Sequence, residues 1–185
     1  PQTCAFYSRR ERGAVYSRRW NVARWAPRAV VLAGAALACT VSGEFTSPEG
    51  RSEYRTVEGV AYRAETAVLE SFPVQLRPAV TIRNEGDAER TVRFPDGCIA
   101  LLRVYRDASR TGNPVWDQAR TVGCAAAVQE FTVAPGDSTI IGRGTIGAAE
   151  ILGDSLPAGR YYFTVVLRPD WQTLELDAGE ADLAK

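Results

Sequence analysis

The feature that most constrains this chain is the regular return, from about residue 65 to residue 177, of short β-branched and aromatic runs cut off by turn residues. Residues 74–82 lead into Asn84-Glu85-Gly86-Asp87, and Arg90-Thr91-Val92-Arg93-Phe94 follows, which predicts a hairpin. Residues 99–105 form the next run, closed by a loop at 106–113 ahead of Pro114-Val115-Trp116, with Trp116 expected as a core anchor. Residues 128–133 meet Ala134-Pro135-Gly136-Asp137, where proline and glycine suit a tight turn, and 138–146 resumes the strand. After Leu156-Pro157-Ala158-Gly159, residues 160–167 are the strongest β segment, and a last strand is expected over 171–176. Seven or eight strands, with only a short helical turn at 147–153, predict an all-β antiparallel sandwich spanning 65–177.

Ahead of this body the charge distribution is lopsided. Residues 1–28 carry seven arginines against Glu11, a net +6, so the neutral whole of 22 basic and 22 acidic groups leaves the remainder at 15 − 21 = −6. Nucleic-acid binding by the acidic body is therefore not expected, because it needs Lys and Arg to displace phosphate counterions. Residues 29–43 have no charge, and basic, then apolar, then small residues is the layout of an export signal. A fifteen-residue helix spans about 22 Å at 1.5 Å per residue, short of the roughly 30 Å hydrocarbon layer. The run ends in Ala36-Leu37-Ala38-Cys39, which resembles the bacterial lipobox; the resemblance implies acylation of Cys39 as a lipid anchor. A plainly cleaved signal or a short uncleaved anchor are the alternatives. Each puts the body outside the cytoplasm, on the periplasmic face, and the arginine bias agrees. Residues 44–64 are expected as a tether and 178–185 as a solvated acidic tail.

Four cysteines occur, at 4, 39, 98 and 124, in no zinc-like or CxxC spacing. Cys4 falls in the basic arm and Cys39 at the lipobox, so Cys98 and Cys124 are expected to pair, two separate buried thiols being the alternative. The absence of histidine removes Ser-His-Asp and Cys-His catalysis and histidine-ligated metals, and the single lysine, Lys185, removes Schiff-base chemistry from the body. Asp96, Asp107, Asp117, Glu130 and Asp154 are the acids available for a glycosidase-type pair, but most fall in or beside predicted turns and read as turn-capping groups. No catalytic residue, cofactor, metal or small-molecule substrate is expected. Trp116, Tyr161, Phe163 and Trp171 are expected in core or edge packing. Tyr162, alternating with Tyr161, is expected to face outward. With Arg103, Arg106, Arg110 and Arg120 it forms the candidate interface, because exposed tyrosine and arginine are favoured at interface centres. The alternative for these arginines is a scattered, solvated set.

In order and rough spacing, Asn84, Phe94-Pro95-Asp96-Gly97, Gly112-Asn113-Pro114-Val115-Trp116, Ala134-Pro135-Gly136-Asp137-Ser138 and Leu156-Pro157-Ala158-Gly159-Arg160-Tyr161 resemble the BsuPI-type intracellular proteinase inhibitor domain over about residues 70–168. The resemblance implies an immunoglobulin-like sandwich. Gly142-Arg143-Gly144 departs from it where a tryptophan is expected. The functional expectation is a non-catalytic, membrane-tethered domain that binds other proteins, as an accessory or stabilising subunit of a membrane complex. The alternatives are a proteinase inhibitor of the BsuPI type and an envelope carbohydrate-binding module.

Overall fold

The computed structural model describes residues 52–69, 73–142 and 144–185, and the fold is all-β with every strand pairing antiparallel. The basic arm, the apolar run with Cys39 and the first part of the tether lie outside the described residues. Among the described residues no helix is long and apolar enough to cross a membrane.

The first sheet is built on β2 (Val60–Leu69) and β3 (Gln75–Asn84), paired along their full lengths. β1 (Arg55–Val57) joins β2 through Glu58-Gly59, whose φ of 50° and 80° match the two left-handed positions of a two-residue type I′ turn. On the other side of β3 lie β8 (Ser138–Ile141) and β9 (Ile146–Gly147), pairing with opposite ends of it. Pro78 falls opposite the gap between them, where the ladder on that side is already interrupted. The second sheet has the order β11 (Leu174–Leu183), β10 (Gly159–Leu167), β5 (Leu101–Tyr105), β6 (Trp116–Asp117). A third ribbon pairs β4 (Arg90–Phe94) with β7 (Gln129–Val133), and Phe94 and Phe131 meet edge to face at 5.8 Å. A short helix, α1 (Ala148–Leu152), precedes β10.

Period-two alternation supplies the core. Val60, Tyr62, Ala64 and Val68 of β2, Leu76, Val80 and Ile82 of β3, Leu102 and Val104 of β5 and Tyr161, Phe163, Val165 and Leu167 of β10 all join one buried cluster. Burial of this kind, about 25 cal/mol per Å² of apolar surface, is the main favourable term.

The structure corrects three expectations. β3 and β4 do not form a hairpin, because β3 is filled on both sides by β2 and by β8 and β9, while β4 pairs with β7. Asn84, fully buried, organises the crossing instead. Its side-chain amide donates to the carbonyls of Ala88 (2.8 Å) and Val133 (2.9 Å), and its Oδ1 accepts from the Gly86 amide (2.9 Å). Its backbone bonds Gly136 and Asp137 of the β7–β8 turn, so two turns are locked through one side chain. Second, the expected tether already contains β1 and the first half of β2. Third, β11 takes in most of the expected acidic tail, where Arg160 on β10 answers Glu180 (3.0 Å) and Asp182 (2.9 Å) across the strand pair.

Candidate functional site

Cys98 and Cys124 are joined in a disulfide with their Cα atoms 5.2 Å apart. The bond clamps the 95–100 loop to the 121–127 loop, and the Gly97 amide donates to Ala125 O (2.9 Å) beside it. Asp96 lies close to both sulfurs, but a disulfide offers no thiolate to a metal.

Four of the five acids considered for catalysis, all but Asp154, hold turns and ion pairs. Asp96 accepts from the Cys98 amide (2.9 Å) and Asp117 from the Ala119 amide (3.0 Å). Asp107 accepts from the Ser109 amide (2.8 Å), which holds its carboxyl below the usual range. Glu130 pairs with Arg93 across the β4–β7 ribbon (2.8 Å).

The arginines of the candidate interface are likewise engaged. Arg103 on β5 bridges the second sheet crosswise, reaching Asp117 on β6 (3.1 Å) and Glu175 on β11 (2.5 Å). Arg110 closes a bulge between β10 and β11, where the register shifts between Tyr162 and Thr164. Its guanidinium donates to Phe163 O (3.1 Å) and Gly179 O (3.2 Å), pairs with Asp177 (2.7 Å) and lies over the half-buried Tyr162 ring at 5.5 Å. Arg106 stacks on Tyr161 at 5.1 Å and donates to its hydroxyl (2.9 Å), which itself donates to Pro157 O (2.6 Å). Arg120 is exposed at the end of a single 3-10 turn. Arg110 and Tyr162 are thus brought together, but Arg103 and Arg110 are neutralised by acids, so the set makes no single free basic patch. Arg110→Ala removes the guanidinium from two bulge carbonyls and from Asp177, which keeps the Gly179 amide, and is expected to cost about 2 kcal/mol, measured by denaturant unfolding.

Sequence reasoning misplaced Trp171. It is 76% exposed rather than packed in core or edge. The reason is local: after Pro169, Asp170 (φ 46°) and Trp171 (φ 68°) both take left-handed conformations, which breaks the strand alternation and turns the indole outward. Non-glycine residues rarely adopt that region, and such strain, of order 1–3 kcal/mol per residue, collects at functional sites. Trp116, by contrast, packs half-buried against the core.

Beside Trp171 the β1–β2 turn, the start of β4 and the Pro169–Trp171 turn enclose a cleft of about 60 Å³. Glu58, Arg90 and Asp170 provide its charges, Val60, Val92 and Pro169 its buried walls, and Tyr62 its buried phenol. Burial, then the Asp170 and Glu58 carboxylates, push the Tyr62 phenol well above its ordinary value. Below about pH 10 the phenol is neutral folded or unfolded; above it the unfolded chain releases the proton while the folded one keeps it, so stability falls as pH rises. Urea titrations above pH 10 are expected to show this alkaline loss, and Tyr62→Phe is expected to flatten it.

No family model matches this chain, and no curated protein matches it. Among solved structures it is similar to a β-glucosidase from Erythrobacter marinus at 13% identity and a TM-score of 0.37, covering 68% of this chain and 15% of that one. A β-glucosidase from Kluyveromyces marxianus in complex with glucose matches at 13% identity and a TM-score of 0.32, covering 76% of this chain and 14% of that one. The chain spans about 15% of the length of these enzymes, and at such TM-scores the likeness carries no argument about activity.

Proposed function

We propose that this chain is a non-catalytic, membrane-tethered β domain that binds other proteins outside the cytoplasm, as an accessory or stabilising subunit of a membrane complex. The observation that carries the docking half is Trp171, a large aromatic side chain held in solvent by two successive strained residues at one end of the domain. Exposed tryptophan is the residue type most enriched among interface hot spots. The tethering half rests on the signal-like run that ends at Cys39.

An immunoglobulin-like sandwich is the fold reading that fits this role. Two observations support it: the β11-β10-β5-β6 order opposite the β1-β2-β3-β8 sheet, and the Tyr161 hydroxyl bonded back to Pro157 at the start of β10, the arrangement of a tyrosine corner. The cleft beside Trp171, at about 60 Å³, is small for a sugar ring.

The BsuPI-type inhibitor reading keeps one supporting observation, since two motifs of that resemblance, Asn84 and the 134–137 turn, are hydrogen-bonded to each other. Tight inhibition of a purified serine protease by the full chain would favour it over a subunit role.

Fractionation of the native host checks the principal reading. The full chain is expected to sediment with membranes and, after mild detergent extraction, to elute in an assembly well above its own 20.1 kDa. A soluble protein running alone contradicts it.

A further inference from the structure

The Cys98–Cys124 bond lies where the chain is least covered. Every residue from 119 to 128 is exposed, Cys124 among them, while Cys98 on the facing loop is half-buried. Neither cysteine belongs to the buried cluster. On its other side the loop meets a cavity of about 290 Å³, lined by Val122 and Gly123 and, opposite them, by Cys98, Ile99, Leu101 and Pro78. The loop therefore has open space on both sides, solvent on one and cavity on the other, in place of the close packing of an interior. Apart from the disulfide it is held by the Gly97 amide on Ala125 O (2.9 Å) and, at its start, by the Thr121 and Val122 amides on Gln118 O. The strands that flank the two loops, β4, β5 and β7, have their own partners.

We propose that this bond is a thiol-exchange site: the thiolate of a dithiol attacks Cys124 Sγ in the folded protein, and the 121–128 loop opens while the strands stay paired. This goes beyond the docking reading and does not depend on it. Access selects the sulfur that is attacked, and Cys124 presents the exposed one. The attack forms a mixed disulfide between the dithiol and Cys124 and breaks the bond to Cys98, which leaves as a thiolate and takes a proton from water. The second thiolate of the dithiol then closes its own disulfide and frees Cys124 as a thiol, so two electrons pass from the dithiol to the chain. Asp96 governs the rate. Its carboxylate lies within 4.8 Å of both sulfurs, accepts from the Cys98 amide (2.9 Å) and is offset in part by Arg168 at 3.2 Å. The negative charge opposes the incoming and the departing thiolate alike.

The test follows reduction of the full chain, in mild detergent, by dithiothreitol, with alkylation and peptide mapping to separate Cys98 and Cys124 from Cys4 and Cys39. In urea below the unfolding transition the rate constant is expected to stay within about twofold, because the native bond itself is attacked. A rate that climbs with urea in step with unfolding overturns the proposal. With glutathione in place of dithiothreitol and an early acid quench, the mixed disulfide is expected on Cys124 over Cys98 by about tenfold or more. An even split, or a preference for Cys98, overturns it. Asp96→Asn keeps an acceptor for the Cys98 amide and is expected to speed exchange about three- to tenfold at low salt, less at high salt. An unchanged rate overturns the part given to Asp96. The reduced chain is expected to keep its β circular dichroism while the Gly97 amide loses about tenfold or more of its protection against hydrogen exchange. Collapse of the β signal on reduction overturns the local opening.

Discussion

Replacing Cys98 and Cys124 together by alanine is expected to destabilise the domain by about 3–4 kcal/mol, the chain-entropy value for a closed loop of this length. The 26-residue separation sets that scale, and the two loops it joins explain why little else substitutes for it. Residues 95–100 and 121–128 carry almost no regular structure, and apart from the bond the Gly97 amide to Ala125 O is the main link between them. Small domains have total stabilities of about 5–15 kcal/mol, so the loss is a large share. Guanidinium unfolding of the oxidised wild type, the reduced wild type and the double variant checks this. The reduced protein and the double variant are expected to agree closely. The midpoint is expected to fall, and the slope to rise, because the unfolded chain without the cross-link is more expanded.

Asn84→Ala is expected to cost a comparable amount, about 2–4 kcal/mol. Three side-chain hydrogen bonds vanish: the buried Val133 carbonyl loses its donor, while the Ala88 carbonyl and the Gly86 amide lie at an exposed and a half-buried residue, where water takes over in part. Asn84→Asp separates the polar effect from the cavity. It keeps the acceptor for Gly86 but faces two carbonyls with a carboxylate, so it is expected to destabilise at neutral pH and to recover partly when protonated in acid. Thermal unfolding at pH 7 and pH 4 distinguishes the two substitutions, and a loss under about 1 kcal/mol for both would show that the turn lock is redundant.

Much of the architecture was legible because alternation and turn residues agree. Residues 90–94 and 160–167 read as strands, and both fall in strands, with Tyr161 and Phe163 buried as expected. The Cys98–Cys124 pairing followed from where the other two cysteines lie in the chain. The failures have equally specific causes. β1 and early β2 were hidden by Glu58-Gly59 and by Ala61-Tyr62-Arg63-Ala64, whose alanines have little strand preference of their own and gain it only from β3. The end of β11 was hidden by a phase shift: Leu174, Leu176 and Ala178 are buried at even positions, then the bulge at Gly179 (φ 88°) moves the buried set to Leu183 at an odd one. A period-two reading cannot follow a strand through a bulge it does not know of. The pairing of β4 with β7 rather than β3 is a non-local choice, made by Asn84 and the 134–137 turn, which are far apart in sequence.

The candidate site was legible in part. Arginines 103, 106, 110 and 120 were recognisable as a cluster in sequence, but their acids come from β6 and β11, so only the folded sheet shows them engaged. Trp171 was seen as an aromatic at a strand start, and nothing local announced that Asp170 and Trp171 would both turn left-handed. A proline followed by aspartate is a turn signal, and weighting it above the aromatic content of Trp171 would have placed the side chain in solvent.

The proposed role depends on docking to a partner protein through the exposed Trp171. Native mass spectrometry of the full chain, extracted from host membranes in mild detergent, tests it most directly when wild type, Trp171→Ala and Ile140→Ser are compared, the last an exposed position on another strand. One larger assembly is expected for wild type and Ile140→Ser, and release of Trp171→Ala as a folded single chain. An assembly that survives Trp171→Ala intact, or a wild-type protein that is found alone, contradicts it.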